Sequence, residues 1–284
     1  MSAVSYKTIV VGVAFSPTLK PNLFEAIRLA RLFGAQLVLV HVGVKSSIKV
    51  EKINRVFEAF GEKLPRHEMV WQEGKPVDVL LEACSAKNAD LLMVGAMQRE
   101  ALFTYYVGSV ARKLTRKAPC DVLLLIKPSI DRVACQHVVV NGLEHPRTKE
   151  AIATSFFVAQ SLGAKKITIV EEIPEKDVNV KVDDDWSLRK ATIMRERIKV
   201  KENSRVQKIL SSLSTTLPKG LLLQIQPIFG RRGYSIGHYA KVVRADLLVM
   251  NAPKPSSLWD RIFPHDIEYI LSDLPTDVLI VRHE

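Results

Sequence analysis

Two stretches of this chain occur twice at a constant spacing. The matching pairs are ADLLMVGA at Ala89–Ala96 with ADLLVMNA at Ala245–Ala252, and APCDVLLL at Ala118–Leu125 with LPTDVLIV at Leu274–Val281. Each pair is 156 positions apart (245 − 89 and 274 − 118), and Gly74 and Gly230 obey the same spacing. Independent matches at one spacing indicate a duplicated structural unit, so two domains are expected at residues 1–128 and 135–284.

Each copy alternates short apolar runs with amphipathic segments, which predicts a parallel sheet covered by helices on both faces. We predict two tandem, doubly wound α/β domains with five parallel strands each. In the first copy the predicted strands are Thr8–Val13, Gln36–Val42, Glu68–Gln72, Asp90–Val94 and Val122–Ile126. In the second they are His137–Val140, Lys166–Val170, Leu222–Ile228, Asp246–Met250 and Val278–Val281. Helices in the first copy are predicted at Pro21–Phe33, Val50–Gly61, Pro76–Asn88 and Ser109–Lys117.

The second copy is longer than the first, and the extra residues fit between its second and third strands. We predict an insertion of roughly thirty residues at about 171–205. The adjoining basic stretch Arg189–Lys208 also contains Ile193, Met194, Ile198, Val200 and Val206. This mixture predicts a solvated helix with one apolar stripe, although a nucleic-acid or lipid surface stays open as an alternative. No nucleic-acid motif interleaves with the basic residues, so specific nucleic-acid binding is not expected.

The overall composition narrows the class of protein. No apolar run is long enough to span a bilayer and no signal peptide precedes the first strand, so we expect no transmembrane segment and a cytoplasmic location. The net charge is +11, and Cys84, Cys120 and Cys135 lack metal-site spacing. These cysteines are expected to be reduced packing thiols rather than parts of a disulfide framework or zinc site.

A glycine-bounded loop follows the fourth predicted strand. The segment reads VGAMQREALFTYYVGSVARKL, in which Gly95 ends the strand, a loop of about a dozen residues follows, and Gly108 and Ser109 open a helix. Glycine lets backbone approach a phosphate, and a helix N-terminus adds unpaired N–H groups beside the Ser109 hydroxyl. The sequence therefore predicts a phosphate cradle, while an ordinary strand exit and helix cap remains the alternative.

The spacing of this loop resembles the universal stress protein family, whose nucleotide-binding members carry G-x-x-G and, after a spacer, G-[S/T]. Gly95, Gly108 and Ser109 match that pattern, and Gln98 replaces the second glycine. The resemblance extends over both copies and implies an adenine nucleotide alpha hydrolase-like fold with ATP and Mg bound in the first copy. The implied binding residues are Gly12, Val13, Ala14, Val42, Val94, Gly95, Met97, Gln98, Gly108, Ser109 and Val110.

Departures from the family pattern distinguish the two copies. Ala14 stands where ATP-binding relatives usually have an aspartate at the end of strand one. In the second copy the four loop positions become Asn251, Lys254, Pro264 and His265, and Pro264 lacks an amide donor. We therefore expect no family-type ATP site there, with Asn141 taking the place of the family aspartate.

Other candidate sites receive less support from their residues. His265 and Asp266, alone or with His238, could be catalytic or ligate a metal, but helix capping and packing are favoured. His41 is expected to be a hydrogen-bonded core histidine. Gly230, Gly233 and Gly237 lie beside Arg231 and Arg232 and could accept a phosphate, yet an exposed loop before a helix is favoured.

Three functions follow in order of preference. The first is a non-catalytic stress-response protein that senses adenine nucleotide through its first domain. The second is a ligand-free regulatory module that engages a protein partner, not identified by the sequence, through the basic insertion. The third is an enzyme such as a slow ATPase. The resemblance also implies that Val122–Ile126 and Val278–Val281 pair edge to edge as a pseudo-dimer, and further homodimerisation stays open.

Overall fold

The computed structural model describes residues 4–99, 104–178, 180–213, 220–252 and 266–282. The strands of the first half are β1 Thr8–Gly12, β2 Gln36–Val42, β3 His67–Gln72, β4 Leu91–Gly95, β5 Met97–Arg99, β6 Thr104–Tyr106 and β7 Asp121–Leu125. Those of the second are β8 His137–Asn141, β9 Lys166–Pro174, β10 Leu222–Gly230, β11 Leu247–Asn251 and β12 Asp277–Val281. The helices are α1 Leu19–Phe33, α2 Ser47–Phe60, α3 Pro76–Ala86, α4 Ser109–Lys117, α5 Thr148–Leu162, α6 Asp185–Ser212, α7 Tyr234–Val242 and α8 Asp266–Ser272, with a 3₁₀ turn at Glu175–Val178.

Within the described residues, ten strands form one continuous sheet in the order β10-β9-β8-β11-β12-β7-β4-β1-β2-β3. All neighbours within each half are parallel, as predicted, because every connection between them crosses over through a helix or a long loop. The two halves meet where β7 pairs antiparallel with β12, so the predicted edge-to-edge pairing of these strands is confirmed.

The sheet separates two apolar layers, and successive strand residues face opposite layers. Val11, Leu39 and Leu123 pack in one layer with residues of α1 and α5. Val10, Val40 and Leu124 pack in the other with residues of α3, α4, α7 and α8. Helices on both faces explain why these strands are apolar throughout.

The contact between the halves is nearly symmetric. Leu123 faces Leu279 across the β7–β12 pair, and Arg112 forms an ion pair with Glu268, each residue meeting its own counterpart in the repeat. Asp277 accepts a hydrogen bond from the Ile126 amide (2.8 Å), while Asp121 accepts one from the Arg282 amide (2.7 Å). Such reciprocal contacts are what a two-fold dimer interface contains, here within one chain.

The second half has longer elements than the first around the predicted insertion at 171–205, and it adds a 3₁₀ turn there at Glu175–Val178. Helix α6 has 28 residues where its counterpart α2 has 14, and β9 and β10 have 9 residues each, against 7 in β2 and 6 in β3. The division of the chain at residues 128 and 135 stays a prediction.

The apolar residues of α6 do not form the single apolar stripe that was predicted. Val206 is buried and Ile198 is half-buried, but Ile193, Met194 and Val200 are exposed. The reason is that only one side of this long helix reaches β10, so the other side presents its apolar residues to solvent. As for membrane spans, no helix in the described part of the chain is both long and apolar enough to be one.

Candidate functional site

The strand-end residues predicted to bind nucleotide lie where the strand order of the first half changes direction, at the crevice that such a sheet forms. In the sheet, β1 lies between β2 and β4, so the chain builds the sheet outward from β1 first on one side and then on the other. Doubly wound sheets bind ligands beyond the carboxyl ends of the strands where this change of direction occurs. Val13 and Val94 are buried at this edge, Gly12 and Val42 are half-buried, and Ala14 and Gly95 are exposed. The Val13 amide donates to the Val40 carbonyl (2.8 Å), which ties the end of β1 to β2. The predicted residues that end these strands are therefore brought together.

Asn22 of α1 is a residue of this crevice that the sequence interpretation missed. A Cβ atom added at Gly95 would lie 3.6 Å from both amide atoms of Asn22. Asn22 Nδ2 donates to Thr18 Oγ1 (3.1 Å), and the Thr18 and Ser16 hydroxyls are 2.9 Å apart. Asn22 Oδ1 is buried without a hydrogen-bond donor among the described residues. The signal was the polar spacing of Ser16, Thr18 and Asn22 directly after the first strand.

The segment between Gly95 and Gly108 was predicted as a loop, and this is wrong for much of it. Met97 and Gln98 lie on β5, opposite Tyr106 and Tyr105 of β6, in a two-stranded antiparallel hairpin. The residues of β6, Thr104, Tyr105 and Tyr106, are all of types that favour strands. Met97 and Gln98 thus contribute hairpin backbone beside the crevice.

The N-terminus of α4 lies on the opposite face of the sheet from α1. Gly108 caps it in an extended conformation (φ −64°, ψ 168°), and no side-chain cap bonds its amides within the described residues. Ser109 and Val110 in the first turn are exposed. These free amides, with the helix dipole, form the kind of end that binds anions.

The second half of the chain holds this helix end in place. The Val107 amide donates to the Leu271 carbonyl (2.9 Å), and Val107 is buried. Arg112 Nε donates to the Val107 carbonyl (2.9 Å), and the Arg112 guanidinium pairs with Glu268 of α8. The geometry of the cradle consequently depends on the pairing of the two halves.

A cluster of aromatic residues lies beyond β1, β2 and β3, next to Val42. The ring centroids of Phe15 and His41 are 4.8 Å apart, and those of His41 and Trp71 are 5.2 Å apart. His41 Nδ1 lies 3.0 Å from the Val13 carbonyl and Nε2 lies 3.1 Å from Lys49 Nζ, so the ring is hydrogen-bonded as predicted. The prediction of a core position is wrong, because His41 is half-buried at the end of β2. Because Phe15 and Trp71 are only half-buried, this edge offers ring surface for stacking.

The equivalent edge of the second half is filled by its own side chains. The Thr8 amide donates to the Asp90 carboxylate, and the His137 amide donates to the Asp246 carboxylate, which is the counterpart of Asp90 in the repeat. Thr8 and His137 are therefore equivalent, and counting along each strand makes Asn141 equivalent to Gly12. The prediction that Asn141 replaces the family aspartate is therefore wrong by two residues, since Leu143 corresponds to Ala14. Asn141 is buried, and its Oδ1 accepts from the Leu143 amide (3.1 Å).

Asn251, which corresponds to Gly95, is buried and donates to Thr148 Oγ1 (3.3 Å). A Cβ atom at Gly142 would lie 2.6 Å from Ile169 Cγ2, so the strand ends are tightly packed there. Lys254, Pro264 and His265 lie outside the described residues. Over the described part of the second half, the geometry shows side-chain packing where the first half has bare backbone.

The glycines around the start of α7 are required by backbone conformation and close packing. Gly233 has φ +76°, and a Cβ atom at Gly237 would lie 2.8 Å from Ile270 Cδ1. The buried carboxylate of Glu172 accepts from the Gly233 and Ile236 amides, both at 2.8 Å, and thereby closes the N-terminus of α7. The carboxyl group of Glu172 therefore occupies the place that a phosphate would need.

Metal and thiol chemistry receive no further support from the part of the chain described here. Across those residues, no group of three or more His, Cys, Asp or Glu side chains could hold a metal ion. Cys84 and Cys120 are buried and Cys135 is half-buried, and all three are free thiols.

Glu171 gives the second half a pH-dependent stability. Burial raises the pKa of this carboxyl to about 7, although Arg205 Nη2 at 2.8 Å opposes the shift. A carboxyl whose pKa is higher in the folded state stabilises most at low pH, and that contribution is lost as the pH rises from about 4 toward 7. We expect the unfolding free energy of wild type, relative to that of Glu171→Gln, to fall across this window in urea titrations. A constant difference between the two proteins would contradict the assignment.

The architecture defines this chain as a tandem protein of two doubly wound α/β units that pair edge to edge. The profile of the universal stress protein family matches residues 44–125. A protein of Staphylococcus epidermidis described as a universal stress protein is 32% identical over 141 residues, covering 43% of this chain and 85% of the relative. The chain belongs to the universal stress protein family.

Further relatives match shorter stretches. Universal stress proteins of Thermus aquaticus and Methanocaldococcus jannaschii are 32% and 33% identical over 62 and 79 residues, covering 22% and 28% of this chain. The chain spans 45% of the length of each of these two relatives.

Solved structures match the fold across both halves. A protein described as a universal stress protein of Pseudomonas aeruginosa has a TM-score of 0.70 at 14% identity, covering 97% of this chain and 93% of that one. A universal stress protein of Archaeoglobus fulgidus has a TM-score of 0.62 at 14% identity, covering 98% and 97% of the two chains.

Proposed function

We propose that this protein is a non-enzymatic stress-response protein whose N-terminal domain, residues 1–128, binds an adenine nucleotide. The observation that carries the proposal is the uncapped N-terminus of α4 at the same strand edge as the bare backbone of Gly95. The unsatisfied Asn22 Oδ1 beside Gly95 is a second polar group that a ligand would satisfy. Family membership supports the same ligand class.

The crevice offers different chemistry to the two ends of such a ligand. The first-turn amides of α4 and the Ser109 hydroxyl would bind phosphate oxygens, and Gly108 leaves the approach free of a side chain. Val13, Ala14 and Val42 would border the nucleoside, with Phe15 and Trp71 close enough to stack. Met97, Gln98, Val94 and Val110 complete the proposed lining. Magnesium, which is usually held largely by nucleotide phosphates and water, would accompany ATP.

Asn22 could supply the hydrogen-bond acceptor that is lost where Ala14 replaces the family aspartate. An amide oxygen is a weaker acceptor than a carboxylate, because it carries no net charge. Asn22 can therefore hydrogen-bond a hydroxyl without adding negative charge beside the phosphates. We expect Asn22→Ala to weaken binding more than Ala14→Ser does.

The proposal is tested by equilibrium titration of the full chain with Mg-ATP. Ser109 and Ser47 are both exposed residues at the first position of a helix, so they form a matched pair. We expect Ser109→Ala to weaken binding by about fivefold to tenfold, since one hydrogen bond to a charged group is lost, and Ser47→Ala to leave it unchanged. Equal effects of the two substitutions would contradict the site.

A second function, protein-partner binding, is favoured by the outer face of α6. Trp186, Ile193 and Val200 are exposed by 70%, 54% and 64%. They recur at a seven-residue spacing, which places them on one face of the helix. Exposed apolar residues in such a row are typical of an interaction surface.

The charge of this face indicates an acidic partner rather than a second copy of the chain. Arg189, Lys190 and Arg197 each lie one helical turn from a residue of the apolar row. The acidic residue at such a position, Glu196, is paired with Lys199. Two such helices would repel each other, whereas an acidic surface would be attracted over long range. The proposed partner is thus an acidic protein that presents apolar residues.

Partner binding is tested with a triple variant. Trp186→Ser, Ile193→Ser and Val200→Ser together should remove most cross-linked partners recovered from cells, with stability changed by less than about 1 kcal/mol because all three are exposed. A control triple, Val44→Ser, Ile48→Ser and Val242→Ser, alters exposed apolar residues elsewhere and should change nothing. An unchanged partner set in the α6 variant would exclude this surface.

A further inference from the structure

A large cavity lies between the two halves, on the face of the sheet that carries α1 and α5. Its volume is about 960 Å³. Leu123 and Leu279 form part of its floor where β7 meets β12, and residues 126–135 of the connection between the halves lie along it. A volume of this order is at the upper end of what small-molecule sites have.

Apolar residues from both halves form part of the walls of the cavity. Leu29 and Phe33 of α1 are matched by Val158 and Leu162 of α5. Three further lining residues, Leu32, Ile130 and Val133, are exposed to solvent. Apolar side chains that cluster at one opening mark a surface suited to an apolar ligand.

The connection spans this space without filling it. The Ser129 amide donates to Glu25 Oε1 (3.2 Å), and Arg28 Nη1 donates to the Ile130 carbonyl (2.6 Å). Arg28 also donates to the Ser129 carbonyl. These bonds fix the connection to α1, so the cavity keeps a defined roof.

The charged residues that line the cavity differ between its interior and its mouth. The inner carboxylates bond to backbone amides, with Asp277 2.8 Å from the Ile126 amide and Asp246 2.9 Å from the His137 amide. Four exposed cationic residues contribute to the lining, Arg31, Lys127, Arg132 and Arg244, against the two exposed acidic residues Glu62 and Asp131. The Arg31 guanidinium pairs with Glu62. The mouth is therefore net cationic, while the interior disfavours a further charge.

We propose that this cavity binds a long-chain carboxylate, with the alkyl tail between α1 and α5 and the carboxylate at Arg132 and Arg244. The apolar residues of α1 and α5 that line the cavity would hold the tail, and guanidinium groups at the mouth would bind an anionic head. This site is separate from the nucleotide crevice, so failure of one proposal leaves the other standing.

Isothermal titration of the full chain with dodecanoate tests the proposal, with dodecanol as the uncharged ligand of the same tail. We expect one saturable site for dodecanoate and at least about tenfold weaker binding of dodecanol. Arg132→Ser with Arg244→Asn should reduce dodecanoate binding to the level of dodecanol. Asparagine suits position 244 because its φ of +50° is left-handed.

A cavity-filling variant locates the site. Leu162→Trp should weaken dodecanoate binding by at least about tenfold, whereas Val182→Trp, at an exposed position away from the cavity, should not. Absence of saturable binding, equal binding of the two ligands, or an unchanged affinity in Leu162→Trp would each overturn the proposal.

Thiol protection provides a measurement that needs no substitution. Cys84 and Cys120 are buried, so Cys135, which is half-buried and lines the cavity, should be the first cysteine to react with iodoacetamide. The reaction should be slow and should be followed at alkaline pH, because burial raises the pKa of the Cys135 thiol to about 12. Saturating dodecanoate should slow its alkylation several-fold in the unmodified chain. An unchanged rate would overturn the proposal even where Leu162→Trp fails to fold.

Discussion

Leu124→Asp should lower the unfolding free energy by at least about 4 kcal/mol, because it buries an unpaired charge in the seam between the halves. Leu124 is 0% exposed and lies opposite Val278 in the β7–β12 pair. Its side chain packs in the layer that contains α4 and α8, away from the cavity between the halves. Urea unfolding followed by circular dichroism measures the loss.

Leu222→Asp is the matched control, since it makes the same change at an exposed residue of the edge strand β10. We expect its effect to stay within about 1 kcal/mol. The seam variant should also weaken nucleotide binding, because α8 of the second half holds the N-terminus of α4. Similar stability of the two variants would show that the halves do not depend on this seam.

Glu172→Ala should lower the unfolding free energy by about 2–4 kcal/mol. The substitution leaves the Gly233 and Ile236 amides without the carboxylate that both now bond at 2.8 Å, in a buried place. Glu172→Gln retains one acceptor oxygen and should lose less. Thermal and urea unfolding of the three proteins give the order directly.

The same variant should turn the α7 end into an anion site. Sulfate should stabilise Glu172→Ala more than wild type, because an exogenous anion can occupy the vacated N-terminus. Glu175→Ala, at an exposed residue nearby, should be within about 0.5 kcal/mol of wild type with or without sulfate. A Glu172→Ala protein as stable as wild type would contradict the capping role.

The fold was largely accessible from the sequence. Repeated segments such as ADLL and apolar runs such as Gln36–Val42 gave the number of parallel strands and their order along the chain. Parallel strands buried on both faces are apolar over their whole length, so their positions stand out clearly. The seam between β7 and β12 followed from the family resemblance, and the structure confirms it.

The lengthening of the second half could not be read in the same way. An offset between repeats gives how many residues are added, but not whether they extend strands and a helix or build a new element. The exposure of Ile193 and Val200 depends on how much of α6 reaches β10, which is a tertiary property. The sequence pattern therefore placed these residues in one apolar stripe of a solvated helix.

The candidate site was predictable only where glycine and strand ends mark it. Gly95 and Gly108 were identified because a glycine at a strand end or before a helix lets the backbone approach a ligand closely. Asn22 and Glu172 were missed because their roles arise from contacts with Gly95 and with the amides of α7, which are distant in sequence. The two-residue error in aligning Asn141 with Ala14 was revealed only by the hydrogen bonds of the Asp90 and Asp246 carboxylates.

The central claim is that the first half binds an adenine nucleotide and the second half does not. Mass spectrometry of nucleotide retained by the full chain after incubation with Mg-ATP and rapid desalting tests it most directly. We expect about one adenine nucleotide per chain in wild type and none in Gly108→Val, whose backbone at φ −64° accepts a valine without strain. Absence of nucleotide from wild type, or its equal retention by Gly108→Val, would contradict the claim.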